Sequence, residues 1–287
     1  MTLFAKNKSG VVLISPPLAL LLVGFVVPTI LMFVMSLRSY TSMQGLGTEW
    51  TLANYAVVLT DGYYLEIIGR TLALGAVVTV TCLLIGFPLA LFIVRSSPKM
   101  QTATLLLVIF PLLLNIVVRS YGWMILLAPR GLVNDSLIQL GLVTEPLDLM
   151  YNLTGVIIGL TQIYLPFMVL LLVPALQNIP ADVEAAAQTL LASRPQVFFS
   201  ITIPLALPGI ITGSILVFVL AISALVTPRM LGGPTYAVMA TQIYDEFMTN
   251  LNWPAGAALA FVLTFIALFL IWGANRVAAN WTKGFPA

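Results

Sequence analysis

Long apolar runs separated by short polar stretches set the pattern of this chain. Six runs reach the length of about 20 residues that a helix needs to cross a bilayer. They lie at 11–37, 70–94, 103–127, 153–177, 205–227 and 255–275. Arg119 interrupts the third, and Pro166 and Pro174 interrupt the fourth. Backbone groups in lipid must be satisfied within their own segment, so each run predicts a helix. The expected fold class is therefore an all-α membrane protein with six transmembrane helices. No polar stretch is long enough for a soluble domain, so one transmembrane domain is expected over residues 1–287. Prolines recur inside the runs, at Pro28, Pro88, Pro111, Pro166, Pro174 and Pro208. They admit two readings, tolerated kinks or broken helices that line a path.

Composition strengthens this picture. The chain is 60% hydrophobic and 8% charged, against about 25% charged in soluble domains. It has no histidine and a single cysteine, Cys82, inside an apolar run. The commonest general base and metal ligand is thus missing, no internal disulfide can form, and no catalytic or metal site is expected. The basic N-terminal residues raise the possibility of a signal peptide. The run that follows is too long for a signal core and no small-x-small cleavage site follows it, so a retained anchor is expected.

Charge then sets an orientation. With the N-terminus inside, the inner side holds Lys6, Lys8, Arg95, Lys99, Arg194, Arg276 and Lys283 against Asp182 and Glu184. The outer side holds five arginines against eight acids. The positive-inside rule then places both termini in the cytoplasm.

One polar stretch stands apart, Pro180 to Ser200. Asp182 suits an N-cap and Glu184 the first helical turn. Ala185 to Leu191 favour a helix, Pro195 is expected to stop it, and Arg194 suits its C-terminal end. Val183, Ala186, Ala187, Leu190 and Leu191 fall at helical spacing and predict one apolar face. Such a helix is too short to span. It either lies on the lipid surface or inserts into a groove of a cytoplasmic partner. Its few basic residues argue against lipid.

The tail of this stretch, Ile201-Thr202-Ile203-Pro204, resembles the EAA loop of binding-protein-dependent ABC importer permeases. The family pattern is Glu-Ala-Ala, three residues, Gly, nine residues, Ile-x-Leu-Pro. Counting back from Ile201 places the acid at Ala185 and the glycine at Leu191, so two signature positions depart. The acid stands one residue early, as Glu184. Further segments are similar to the first permease subunit of spermidine/putrescine importers: NIVVRSYGWMILL (115–127), RGLVNDSLIQLGL (130–142), LVTPRMLGGPTYAVMATQIYDEF (225–247) and TLANYAVVL (51–59).

The resemblance implies the type I ABC importer permease fold in a bacterial inner membrane, as a multi-pass subunit. It implies three partners besides membrane lipid: an ABC ATPase dimer, a second permease of different sequence, and an extracytoplasmic solute-binding protein. No nucleic acid is implied. ATP and Mg would sit on the ATPase, and this chain has no G-x-x-x-x-G-K-[ST] stretch of its own and binds no cofactor. The cargo implied is a polyamine or a related small organic solute. Asp182, Glu184, Ala185, Leu190, Leu191 and Arg194, within a cytoplasmic coupling loop at 180–200, are the ATPase-coupling candidates.

Arg119, Tyr121, Trp123, Tyr244, Asp245 and Glu246 are the substrate-path candidates. For the first three the alternative is an interfacial aromatic belt with a snorkelling arginine. For the last three it is a solvated loop. Arg119 would not attract a cation, but it would suit a carboxylate such as Asp245 or Glu246. Two rival functions stand beside the permease. A secondary transporter without an ATPase would show mid-span acids and inverted repeats. A membrane-embedded enzyme would show polar catalytic groups meeting at one depth.

Overall fold

The computed structural model describes residues 8–41, 45–189 and 191–282. Lys6, Leu190 and Lys283, all named above, lie outside them. The chain is mostly helical, and six segments are long and apolar enough to cross a membrane. Two compact units share them, Met1–Leu65 with Ile243–Leu263, and Glu66–Gln242 with Thr264–Ala287.

The first unit opens with α1 (Lys8–Ser36), apolar on every side from Ile14 to Met35 with no residue of that stretch buried within the chain, and Ser36 fully buried at its end. Residues expected to be irregular then pair as a ribbon, β1 (Arg38–Thr41) antiparallel to β2 (Gly45–Trp50). The all-helical expectation therefore needs correcting by one small hairpin. The Arg38 guanidinium covers the Trp50 ring at 4.3 Å, which shields this outward aromatic. Helix α2 (Ala53–Thr60) closes onto the end of α1. Asn54 donates to the Ser36 and Arg38 carbonyls, both at 2.9 Å, and the Tyr55 and Ser36 hydroxyls meet at 2.7 Å.

The second unit carries the larger core. Helix α3 (Gly62–Arg95) enters it at Glu66 and runs straight through Pro88. Helix α7 (Leu153–Gln177) runs continuously through Pro166 and Pro174, so those prolines do not break it. It packs along α10 (Ile203–Ile222). Apolar side chains gain little by leaving lipid for protein, so close backbone approach at small residues holds such pairs. At Gly209 a Cβ would collide with the Ala175 Cβ and stand 3.1 Å from the Leu171 carbonyl. Leu160, Met168, Leu172, Ala206 and Val217 are fully buried along the seam, with Leu74, Val78 and Cys82 of α3.

Two spans differ from expectation. The third is not one helix over 103–127. Helix α4 (Pro98–Ile109) tightens into a 3₁₀ turn, Phe110–Leu113, at Pro111. Leu114 is extended, and Asn115 caps a new helix, α5 (Ile116–Leu127), accepting from the Val117 N–H at 2.8 Å. Pro111 has no N–H to continue the helix, and the Asn115 side chain supplies the acceptor that the Val117 N–H lacks at the new helix start. The membrane-length segment here is Ile116–Gln139, which adds α6 (Leu132–Gln139). The fifth span is displaced towards the N-terminus. It runs from α9 (Arg194–Val197) through a π-type turn, Phe198–Thr202, into α10, and ends at Ile222 rather than 227.

The connection after α6 is tied down by Asn134, which is fully buried. Its amide donates to the Ala128 and Leu147 carbonyls, both at 3.1 Å, and accepts from the Leu147 N–H at 2.8 Å. Helices α11 (Met239–Met248) and α12 (Trp253–Thr282) complete the chain.

Candidate functional site: the coupling segment and a mid-span polar cluster

The segment at 180–200 folds as a short helix, a sharp turn and a second helical start. Helix α8 covers Ala181–Thr189. It begins one residue before Asp182, so Asp182 is in the first turn rather than at the N-cap. Glu184 and Ala185 follow within the same helix. Helix α8 ends at Thr189, short of the expected apolar face, which therefore loses Leu191 from its stripe. The Ala192 N–H reaches back to the Ala187 carbonyl at 3.1 Å, and Leu191 takes φ +62°. This is a Schellman ending with the left-handed residue at Leu191.

That geometry gives a physical reason for a glycine at this point of the EAA pattern. Only glycine adopts it freely; an L-residue pays about 1–2 kcal/mol. Leu191 is also 93% exposed, more than Leu20 on the bare face of α1 at 78%. It stands at the rim of a cleft of about 310 Å³, lined also by Ala192, Gln196, Val197, Ser200 and Ile201.

Arg194 and Pro195 do not end α8. They begin α9, where proline is favoured because its missing N–H would be unpaired anyway. Ser193 precedes them, and its N–H donates to Gln196 Oε1 at 2.8 Å, half of a capping box. The expected cation at a helix C-terminus is thus exposed at a helix N-terminus.

The second candidate cluster lies on α5. Arg119 and Trp123 are one helical turn apart and share a face, while Tyr121 is 57% exposed on another. Trp123 donates to Gln162 of α7 at 3.4 Å, and the Ser120 and Thr227 hydroxyls meet at 3.1 Å. Tyr164, close enough to interact electrostatically with Arg119, donates to the Leu220 carbonyl at 2.9 Å. Arg119 Nε and Nη1 are buried with no hydrogen-bond partner among the described residues. Ser120, Gln162, Tyr164 and Thr227 escaped the sequence reading. Their signal was polarity inside otherwise apolar segments.

The third group is helical rather than a loop. Tyr244, Asp245 and Glu246 lie on α11. Adjacent residues point about 100° apart on a helix, so the two acids do not act as a pair. Glu246 is buried, and Tyr64 donates to its Oε1 at 3.3 Å. The helix end is closed at the Asp245 backbone carbonyl, which accepts from the Thr249 and Asn250 N–H groups at 2.9 and 2.8 Å. Nearby in sequence, Gly233 takes φ +64° against the Tyr151 ring, so the Gly-Gly-Pro stretch is a turn. Burial pushes the Tyr236 phenol above its ordinary range, and the Arg70 guanidinium, 5.8 Å from its ring, opposes that.

Residues 84–282, from mid-α3 to the end of α12, match the binding-protein-dependent transport system inner membrane component family. The chain belongs to that family. It is a permease subunit of an ABC importer in the inner membrane. The spermidine/putrescine transport system permease protein PotB of Salmonella typhimurium is 33% identical over 231 residues, covering 79% of this chain and 80% of that protein. PotB of Haemophilus influenzae is 30% identical over 266 residues, 93% of each chain. The fold matches a chain of the bacterial alginate ABC transporter crystallised with an alginate pentasaccharide-bound periplasmic protein. Its TM-score is 0.77 at 20% identity, over 97% of this chain and 96% of that one. The segment at 180–200 falls inside the family match, and the expected six-span permease fold holds.

Proposed function

We propose that this permease imports a polyamine or a related small organic solute, with the 180–200 segment facing the cytoplasm and docking on a separate ATPase. The observation that carries the coupling role is the left-handed turn at Leu191. The EAA pattern places a glycine at this residue, and the backbone here has the conformation that glycine serves. The polyamine assignment rests on the similarity to PotB over most of the chain. On this reading a second permease chain completes the path and an extracytoplasmic binding protein delivers cargo. ATP and Mg sit on the ATPase, and this chain binds no cofactor and has no ATPase site. Both termini are cytoplasmic.

The test is uptake by proteoliposomes. The tagged chain is purified in mild detergent with the companions it retains, reconstituted, and given labelled putrescine or spermidine with its binding protein outside and ATP inside. ATP-dependent accumulation supports the proposal. Accumulation without ATP, driven by an ion gradient, would identify a secondary transporter instead. ATP-dependent uptake of a different solute would keep the coupling role and remove the polyamine.

A further inference from the structure

We propose that the coupling segment of this chain is anchored by Leu191, seated in an apolar pocket of the ATPase subunit. The inference rests on the coupling role given above and adds the chemistry of the contact. Two unfavourable features meet at this residue. An L-side chain occupies a left-handed backbone position, and a leucine stands 93% exposed. Removing the side chain would relieve both at once, so neither strain nor solubility accounts for it. Burial against a partner would offset both.

The position of the motif acid points the same way. The residue that should carry it is Ala185, so charge is missing where a polar contact would form and apolar surface is present one turn and a half further on. The Leu191 side chain, though it borders the cleft, is almost wholly exposed and open to a partner. Lipid is the poorer occupant. Between Pro180 and Ser200 the segment carries Asp182 and Glu184 with Arg194 as its one cation, and an anionic membrane surface repels that balance.

The experiment uses the full chain, tagged, expressed in its native membrane and purified in mild detergent. Retention of the ATPase subunit is quantified by mass spectrometry for wild type, Leu191→Met, Leu191→Gly and Leu191→Asn. Glycine and asparagine both accept the left-handed backbone, and asparagine nearly preserves size. The expected result is full retention with methionine and at least tenfold weaker retention with glycine and asparagine, equivalent to ~1.4 kcal/mol. Thermal unfolding of the same variants should be unchanged or improved. Wild-type retention in Leu191→Gly would overturn the anchor. So would unfolding of that variant, because the backbone premise would then be wrong. Weaker binding of the glycine variant to anionic-lipid vesicles, with ATPase retention intact, would assign the residue to lipid and also overturn it. If wild type itself retains no ATPase, the coupling role fails first and the anchor fails with it.

Discussion

A methyl group added at Gly209 tests whether close backbone approach holds the α7–α10 seam. The new Cβ would meet the Ala175 Cβ well inside contact distance, and neither atom can move without moving its helix. Overpacking against atoms that cannot yield lies at the upper end of the usual range, ~2–3 kcal/mol. Alanine regains up to about 1 kcal/mol through helix propensity. A net loss of about 1–2 kcal/mol follows for Gly209→Ala. Gly213 provides the internal contrast. There the obstacle is the Met168 sulfur at 2.8 Å, the far end of a flexible side chain that can swing aside, so Gly213→Ala should be near neutral. Gly122 has nothing within 4 Å, and Gly122→Ala should be neutral or stabilising. The chain carries its own reporter. Cys82 is the sole cysteine and is fully buried beside α7, where it contacts the Thr161 carbonyl at 3.6 Å. A thiol-reactive dye should label it only when the core opens. At about 2–4 °C per kcal/mol in a chain of this size, Gly209→Ala should lower the midpoint by about 2–8 °C at a fixed scan rate. A midpoint at or above wild type, or an equal drop in Gly213→Ala, would refute the close-approach account.

Other outcomes follow from the same geometry. Arg119→Met removes two buried, unpartnered guanidinium nitrogens, so the Cys82 midpoint should hold or rise by the equivalent of ~1–3 kcal/mol; a clear drop would reveal a partner. Asn134→Ala orphans two carbonyls and an N–H, and should cost ~2–4 kcal/mol and open residues 128–152 to limited proteolysis. Asn115→Ala removes the cap of α5 at the break in the third span, with an expected loss of ~0.5–2 kcal/mol, read by the same dye assay, while Asn115→Asp should retain the cap.

The six spans were legible because bilayer thickness imposes a length, and length can be counted without knowing any neighbour. The turn at Leu191 was legible in a weaker sense. A motif aligned on Ile201 to Pro204 pointed to a glycine position, and φ there is +62°. Pro195 is ambiguous in the sequence: a proline ends one helix and equally opens the next, and only the chain's path from Ser193 into α10 selects between them.

Other features depended on neighbours distant in sequence. Asp245 and Glu246 are chemically near-equivalent neighbours in the chain, yet Asp245 is half-buried and Glu246 is buried against Tyr64, 182 positions away. Arg119 is a lone cation in an apolar run, and nothing local says that two of its nitrogens are left without partners. The hairpin at 38–50 needs both strands before either has a hydrogen-bond partner.

Hydrophobicity along the chain established that the protein lives in a bilayer, how many times it can cross and where the one amphipathic interruption falls. Which face of each span meets protein was settled by folding. In water an apolar stripe marks the buried face of a helix, but in a membrane lipid and protein interior are both apolar and the stripe vanishes. The facing sides of α7 and α10 were chosen by close approach at Gly209, and α5 is held by polar pairs such as Ser120 with Thr227, interactions that exist only once the elements are side by side.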